Sequence, residues 1–302
     1  MPDISFPILA DNHEQPPILR LPTEILDLII QCLSGDNKAI SACTLVCRSF
    51  YETSVQHHFY GINFTFTNQE SVMDPAVEYA AFDRLLLSNP QLATHIKYTC
   101  ITIKTHKRKE ELVDFHRVLE DAVFNTLNRL DNLQDLWLDM SDMLNGEEFG
   151  LGVAKDLRFP SVLSLQLMET PSLPLCLLHC FPNLTELELF YAKFDTKDQQ
   201  CQHSIADEVT RASLTKLTIK VGKRDEVYEV FATLLDVLKL PEITRVQELD
   251  LEIRDDERQS IYAKQIIELC CVSVQTLHLR LLPSRRHRSG EFNSTQFHYV
   301  AN

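Results

Sequence analysis

Apolar positions along this chain follow two rhythms, and the change between them divides it. Over residues 21–33, LPTEILDLIIQCL, the side chains of Ile25, Leu26, Leu28, Ile29, Ile30, Cys32 and Leu33 spread over roughly 200° of a helical wheel, about twice the stripe that one core requires. Thr23, Glu24, Asp27 and Gln31 keep the remaining side polar, so the helix is amphipathic and not a membrane segment. Pro22 stands in the first turn, where its missing N–H costs nothing, and Glu24 lies near the positive end of the helix dipole. Gly35 and Asp36 stop this helix. A second helical stretch is predicted from Asn37 onward, carried by Ile40, Cys43, Val46, Cys47 and Phe50 at three- and four-residue spacing. A module of about forty residues buries too little surface to satisfy two apolar faces by itself. One face wants a partner.

Beyond Tyr60 the rhythm changes. Residues 74–91, DPAVEYAAFDRLLLSNPQ, predict a connecting helix with proline at its start and Asn89-Pro90 at its end. The pattern Leu-x-x-Leu-x-Leu, with Val or Ile allowed, then recurs from Leu133, Val162, Leu184, Leu214, Val246 and Val274, at intervals of 29, 22, 30, 32 and 28 residues. A weaker copy, Ile96 with Thr99, Ile101 and Ile103, opens the array. Helical periodicity separates several copies, in residues 110–130, 225–240 and 260–271. Strand and helix therefore alternate, and no unit can bury its apolar face without a stacked neighbour. The predicted fold is α/β, a helical module followed by a repeat solenoid.

Composition narrows the function classes. With 302 residues and 44% apolar content, a small module and one larger body fit the chain. A net charge of −14 repels phosphate backbones, which disfavours nucleic acid as a partner. No stretch approaches the ~20 apolar residues of a membrane span, and no secretory signal opens the chain. Nine irregularly spaced cysteines fit reduced thiols better than a disulfide framework, so the expected compartment is cytoplasm, nucleus or both.

Catalytic and metal chemistry finds little support. Cys43 with Cys47, and Cys176 with Cys180, form pairs four residues apart, but a structural zinc site needs four convergent ligands. Apolar surroundings favour these thiols as small hydrophobes. None of the seven glycines builds a phosphate loop. No cofactor, metal or catalytic residue is expected. The basic runs at 104–109, KTHKRK, and 285–288, RRHR, follow strands and read as solvated loops, with import signals or acidic-partner docking as the functional alternative.

The N-terminal elements together resemble the F-box: Leu-Pro at 21–22, Glu-Ile-Leu at 24–26, Leu-Val-Cys-Arg-Ser-Phe at 45–50, and a closing aromatic at Phe59 or Tyr60. The resemblance covers residues 21–64. It implies a three-helix module that docks on a Skp-type adaptor, and through it on cullin and RING subunits of a ubiquitin ligase. Leu21, Pro22, Ile25, Leu26, Ile29, Leu33, Leu45 and Val46 would then supply much of the adaptor contact. The later copies resemble leucine-rich repeats, whose period is ~20 to 29 residues. No regular Asn or Cys follows the Leu-x-Leu of each copy, so an irregular arc is expected, with parallel strands on the concave side and helices outside.

The expected organisation is a loose arm at 1–17, an F-box at 18–64, a helical connector at 65–94 and the repeat body at 95–302. The expected function is a non-catalytic adaptor, monomeric outside its complex, that presents an unknown protein target to the ligase. The alternative is a repeat scaffold that binds the Skp-type adaptor without causing degradation. Side chains alternate along each strand, so Trp137, Asp139, Met168, Glu188 and Phe190 are expected on the concave face, as a target-binding apolar patch edged by acids.

Overall fold

A computed structural model describes residues 16–67, 75–104, 126–140, 158–170, 172–195, 214–220, 245–254, 257–282 and 295–300. The predicted helix at 225–240, residues 110–125 of the predicted helix at 110–130, residues 1–15 of the arm, and all of the two basic runs except Lys104 lie outside these residues.

The first elements are helical. After a short 3-10 turn at Pro17–Arg20, α1 (Thr23–Gln31) starts where the Pro22 carbonyl accepts from the amides of Ile25 and Leu26, at 3.0 and 3.1 Å. The second stretch comprises two helices, α2 (Asn37–Cys43) and α3 (Arg48–His58). Asp36 caps α2, its Oδ1 accepting from the amides of Lys38 and Ala39, both at 3.0 Å, which satisfies two of the orphan donors at a helix start. Leu26, Ile30 and Phe50 form a small core, with Leu21, Leu33, Cys43 and Cys47 packed against it. Cys43 ends α2 and Cys47 precedes α3, so the helical spacing read across them marks two helices facing one core.

A nine-stranded sheet forms the body. Eight strands are parallel and adjacent in the order β1 (Gly61–Thr67), β2 (Tyr98–Lys104), β3 (Asp135–Asp139), β4 (Ser164–Met168), β6 (Glu186–Phe190), β8 (Lys216–Lys220), β9 (Glu248–Arg254) and β10 (Thr276–Leu282). The antiparallel β11 (Thr295–Val300) closes the far edge. β5 (Ser172–Pro174) and β7 (Lys193–Asp195) pair separately. Helix α4 (Pro75–Ser88) matches the predicted bounds, and α5 (Pro90–His95) follows it. Helix α6 (Glu257–Cys270) lies between β9 and β10 in the chain and buries Ala263, Ile266 and Cys270 in the core. The chain is thus α/β with a parallel sheet.

All six copies of the repeated pattern supply strands, and the leucine positions of the strand enter the core. Leu136, Leu138, Leu165, Leu167, Leu187, Leu189, Leu217, Ile219, Leu249 and Leu251 are buried, and their alternating neighbours in β3, β4 and β6 are half-buried, the period of two expected of strands.

Successive units share one hydrogen-bonding device. One carbonyl just ahead of each strand accepts two consecutive amides from the next unit: Tyr60 from Lys97 and Tyr98, Lys97 from Gln134 and Asp135, Gln134 from Leu163 and Ser164. Leu163, Thr185, Thr215 and Gln247 continue the ladder to Thr276.

The sheet begins earlier than the repeated pattern indicates. β1 pairs with β2 over seven residues, from Gly61 with Tyr98 to Thr67 with Lys104. Phe64 of β1 meets Phe82 of α4 edge to face at 5.1 Å. Residues 61–67 therefore belong to the sheet, and α4 is the crossover between its first two strands. The pattern Ile62, Phe64, Phe66 carries this strand in the sequence, but it straddles the boundary drawn after residue 64 between the helical module and the connector.

Candidate functional site

Two surfaces carry the candidate residues. On the helical module, the sequence-derived set separates into inner and outer members. Leu26 is only 2% exposed and belongs to the module's own core, so it has no surface to offer a partner. Leu21, Ile29 and Leu33 are half-buried, the first and last against that core. Pro22, Ile25, Leu45 and Val46 are exposed, Leu45 by 79%. Three further large apolar side chains are exposed on or beside these helices: Ile18, Leu28 and Tyr51. Leu28 follows Ile25 by three positions and so shares its side of α1; the broad apolar arc was the signal for it. His57 of α3 holds α1 in place, its Nε2 lying 2.8 Å from Asp27 Oδ1.

The second surface is the sheet face turned away from the core. Register arranges its side chains in rows that cross the strands. One row runs Tyr98, Asp135, Ser164, Glu186, Lys216, Glu248 and Thr276. The next runs Cys100, Trp137, Gln166, Glu188, Thr218, Asp250 and His278, and the third Thr102, Asp139, Met168, Phe190, Lys220, Glu252 and Arg280. Trp137, Met168 and Phe190 do fall on neighbouring strands. Met168 stands directly opposite Phe190, whereas Trp137 pairs with Gln166 and reaches Met168 only diagonally.

These three are half-buried, not an open patch. The Lys220 ammonium lies 4.5 Å from the Phe190 ring centre, a cation–π contact that covers part of that ring. Trp137 Nε1 is buried and has no hydrogen-bond partner among the described residues.

The cations on this face are already engaged. Lys216 Nζ lies 3.6 Å from Glu186 and 3.8 Å from Glu188. Burial works against its charge, but Glu186, Glu248 and Glu188 outweigh that effect and raise its pKa above the ordinary lysine value. Arg280 Nη1 lies 3.0 Å from Glu252. The first row, with Asp135 and Glu186, was not singled out in the sequence, because it comes into line only through the register of β3, β4 and β6.

Asp135 differs from its neighbours. Burial, with Glu186 as a second cause, pushes its carboxyl above the usual aspartate range. Beside it, Tyr98 is pushed up to about 12, by burial first and then by Cys100 and Asp135, and stays neutral at physiological pH.

Cysteine reactivity separates the thiols. Burial pushes Cys180 and Cys270 up to about 11, which leaves almost no thiolate at pH 8, while Cys32 and Cys271 are exposed. Alkylation at pH 8 followed by peptide mass mapping should label Cys32 and Cys271 in the folded protein, and Cys180 and Cys270 only after unfolding. Early labelling of Cys180 would mean that the core around it opens locally.

Among the described residues, no group of three or more His, Cys, Asp or Glu is placed to hold a metal ion, and no helix is long and apolar enough to cross a membrane. No protein-family model matches this sequence, and no curated protein matches it significantly.

Proposed function

We propose that this chain is the target-recognition adaptor of a Skp-cullin-F-box type ubiquitin ligase, its helical module binding the Skp-type adaptor and its leucine-rich-type sheet presenting a protein target. One observation carries the reading. The module buries Leu26, Ile30, Ile40, Phe50 and Val55, yet leaves Ile18, Ile25, Leu28, Leu45, Val46 and Tyr51 exposed on so short a segment. An apolar surplus of that kind marks a binding surface more often than an accident of composition. The order of Leu-Pro, Glu-Ile-Leu and Leu-Val-Cys-Arg-Ser-Phe gives the partner's identity by resemblance. Ubiquitin transfer itself falls to the partner subunits.

The experiment is a binding assay with a purified Skp-type adaptor, using the double variant Leu45→Asp, Val46→Asp. Both side chains are exposed, so the variant should retain its circular dichroism while adaptor binding falls more than tenfold, the scale of a hot-spot loss. Full binding by the folded variant rejects the reading. Cullin recovered with the adaptor from cells, and a bound protein that accumulates on proteasome inhibition, separate a degradative adaptor from a scaffold.

A further inference from the structure

The sheet ends on a strand that nothing blunts. β1 stands last in the order of the nine strands and pairs with β2 on one side only. Tyr60 turns its carbonyl to Lys97 and Tyr98, so by the alternation of a strand Ile62 and Phe64 hydrogen-bond toward β2, while Gly61, Asn63 and Thr65 carry their N–H and C=O groups to the outer edge. All three are exposed, and their outward groups have no partner among the described residues. Native edges are ordinarily protected by charge, proline or a bulge. The sequence of β1, GINFTFT, has neither charge nor proline, and its seven pairs with β2 run one to one. Charges sit instead on inner strands that need no such protection: Asp135 and Asp139 of β3, Glu186 and Glu188 of β6, Lys216 and Lys220 of β8.

The core side of the same strand is incomplete as well. Register carries two buried rows outward to β1: Leu165, Leu136 and Thr99 lead to Ile62, and Leu167, Leu138 and Ile101 lead to Phe64. Every inner member is at most 4% exposed, whereas Ile62 and Phe64 are only half-buried. The core thus stops one strand short, with two apolar side chains left partly wet.

We infer that the outer edge of β1 receives an extended, uncharged segment of a protein partner as a further strand. Its main chain bonds Gly61, Asn63 and Thr65, and apolar side chains at two alternate positions cover Ile62 and Phe64. In strand addition the main-chain bonds give affinity and the alternate side chains give selection. A second copy of this chain is the weaker occupant: the edge is about 23 Å long and one strand wide, well short of the ~800 Å² per partner of a stable dimer. Since α3 ends at His58 and β1 begins at Gly61, the added strand would lie close to the helical module. That the occupant is the ligase target rests on the proposed adaptor function.

The test uses the whole chain and fluorescence anisotropy of a labelled, blocked peptide, Gln-Thr-Val-Thr-Phe-Thr-Val-Thr-Gln. Three companions are N-methylated on the threonine amides, N-methylated on the valine and phenylalanine amides, or built with serine in place of valine and phenylalanine. The parent should bind saturably. One methylated peptide should bind at least tenfold more weakly while the other matches the parent, because only one edge of the peptide faces β1; the set that fails reports the strand direction. The serine peptide should also weaken at least tenfold. No saturable binding by the parent, loss with both methylated peptides or with neither, or full binding by the serine peptide overturns the inference.

On the protein side, Asn63→Pro removes one outward donor and no bond to β2, and proline is tolerated on a sheet edge. With its circular dichroism unchanged, this variant should bind the parent peptide at least tenfold more weakly, and full binding overturns the inference. The methylated peptides decide the question on the unaltered chain should the variant not fold. Sedimentation of the unaltered chain should give a monomer; a dimer that Asn63→Pro abolishes would make a second copy the occupant and overturn the inference. Binding of the Skp-type adaptor should be unaffected by Asn63→Pro. Failure of the peptide arm with adaptor binding intact rejects only the strand seat, and loss of adaptor binding in the Leu45→Asp, Val46→Asp protein bears only on the broader function.

Discussion

Replacing Leu167 with alanine is expected to destabilise the protein by about 3 kcal/mol, within the 2–5 kcal/mol range for buried leucine truncations. Leu167 is fully buried, and register sets it between Leu138 of β3 and Leu189 of β6, both also buried. The cavity would open in the middle of a stack in which each unit depends on its neighbours, so the defect has no edge toward which to relax. Gln166→Ala, one position away on the opposite face, should cost less than 1 kcal/mol, because Gln166 is half-buried and adds nothing to the core. Equilibrium denaturation of both variants measures the difference. Equal losses would mean that the polar face is as tightly packed as the core.

The second large effect concerns where the body can be cut. A chain beginning at Phe59 keeps β1 and the Tyr60 carbonyl, whereas one beginning at Asp74 loses the seven-residue pairing with β2 and the Phe64–Phe82 contact. Half-burial of Ile62 and Phe64 contributes about 1 kcal/mol each, and losing the strand strips the hydrogen-bond partners from one side of β2. The shorter chain should be less stable by about 3 kcal/mol or more and should aggregate through its newly exposed edge. Parallel denaturation and light scattering of the two chains would show this. Indistinguishable stability would mean that β1 is dispensable and that the body starts at β2.

Much of this fold was legible because leucine is unambiguous at every second position of a buried strand. The six repeated segments correspond to strands, and Trp137, Met168 and Phe190 alternate with the buried leucines on the opposite side of the sheet. Three features were not legible, each for a physical reason. The break between α2 and α3 is concealed because Cys43 and Cys47 pack against the same core from either side of the turn. β1 is concealed because Phe59 and Tyr60 end the helical module and start the sheet within three residues. The Asp135–Glu186 row depends on register, since their carboxylates come into one line only when β3, β4 and β6 are aligned. The division of the module's apolar residues was equally hidden: Leu26 and Ile25 are adjacent in sequence, but only the turn of α1 and the position of Phe50 make one core and the other surface.

The carbonyl of Tyr60 deserves a mechanical consequence. It is two residues beyond the last turn of α3, and it accepts the amides of Lys97 and Tyr98 at 3.0 Å each, the opening rung of the ladder that continues to β10. There is no hinge segment between the two parts, and Phe59 packs against the sheet core. Twisting one part against the other would have to tear this rung and withdraw Phe59. The helices are therefore bolted at a set span and angle to the sheet, and the chain behaves as a bracket whose reach is determined by its number of repeats.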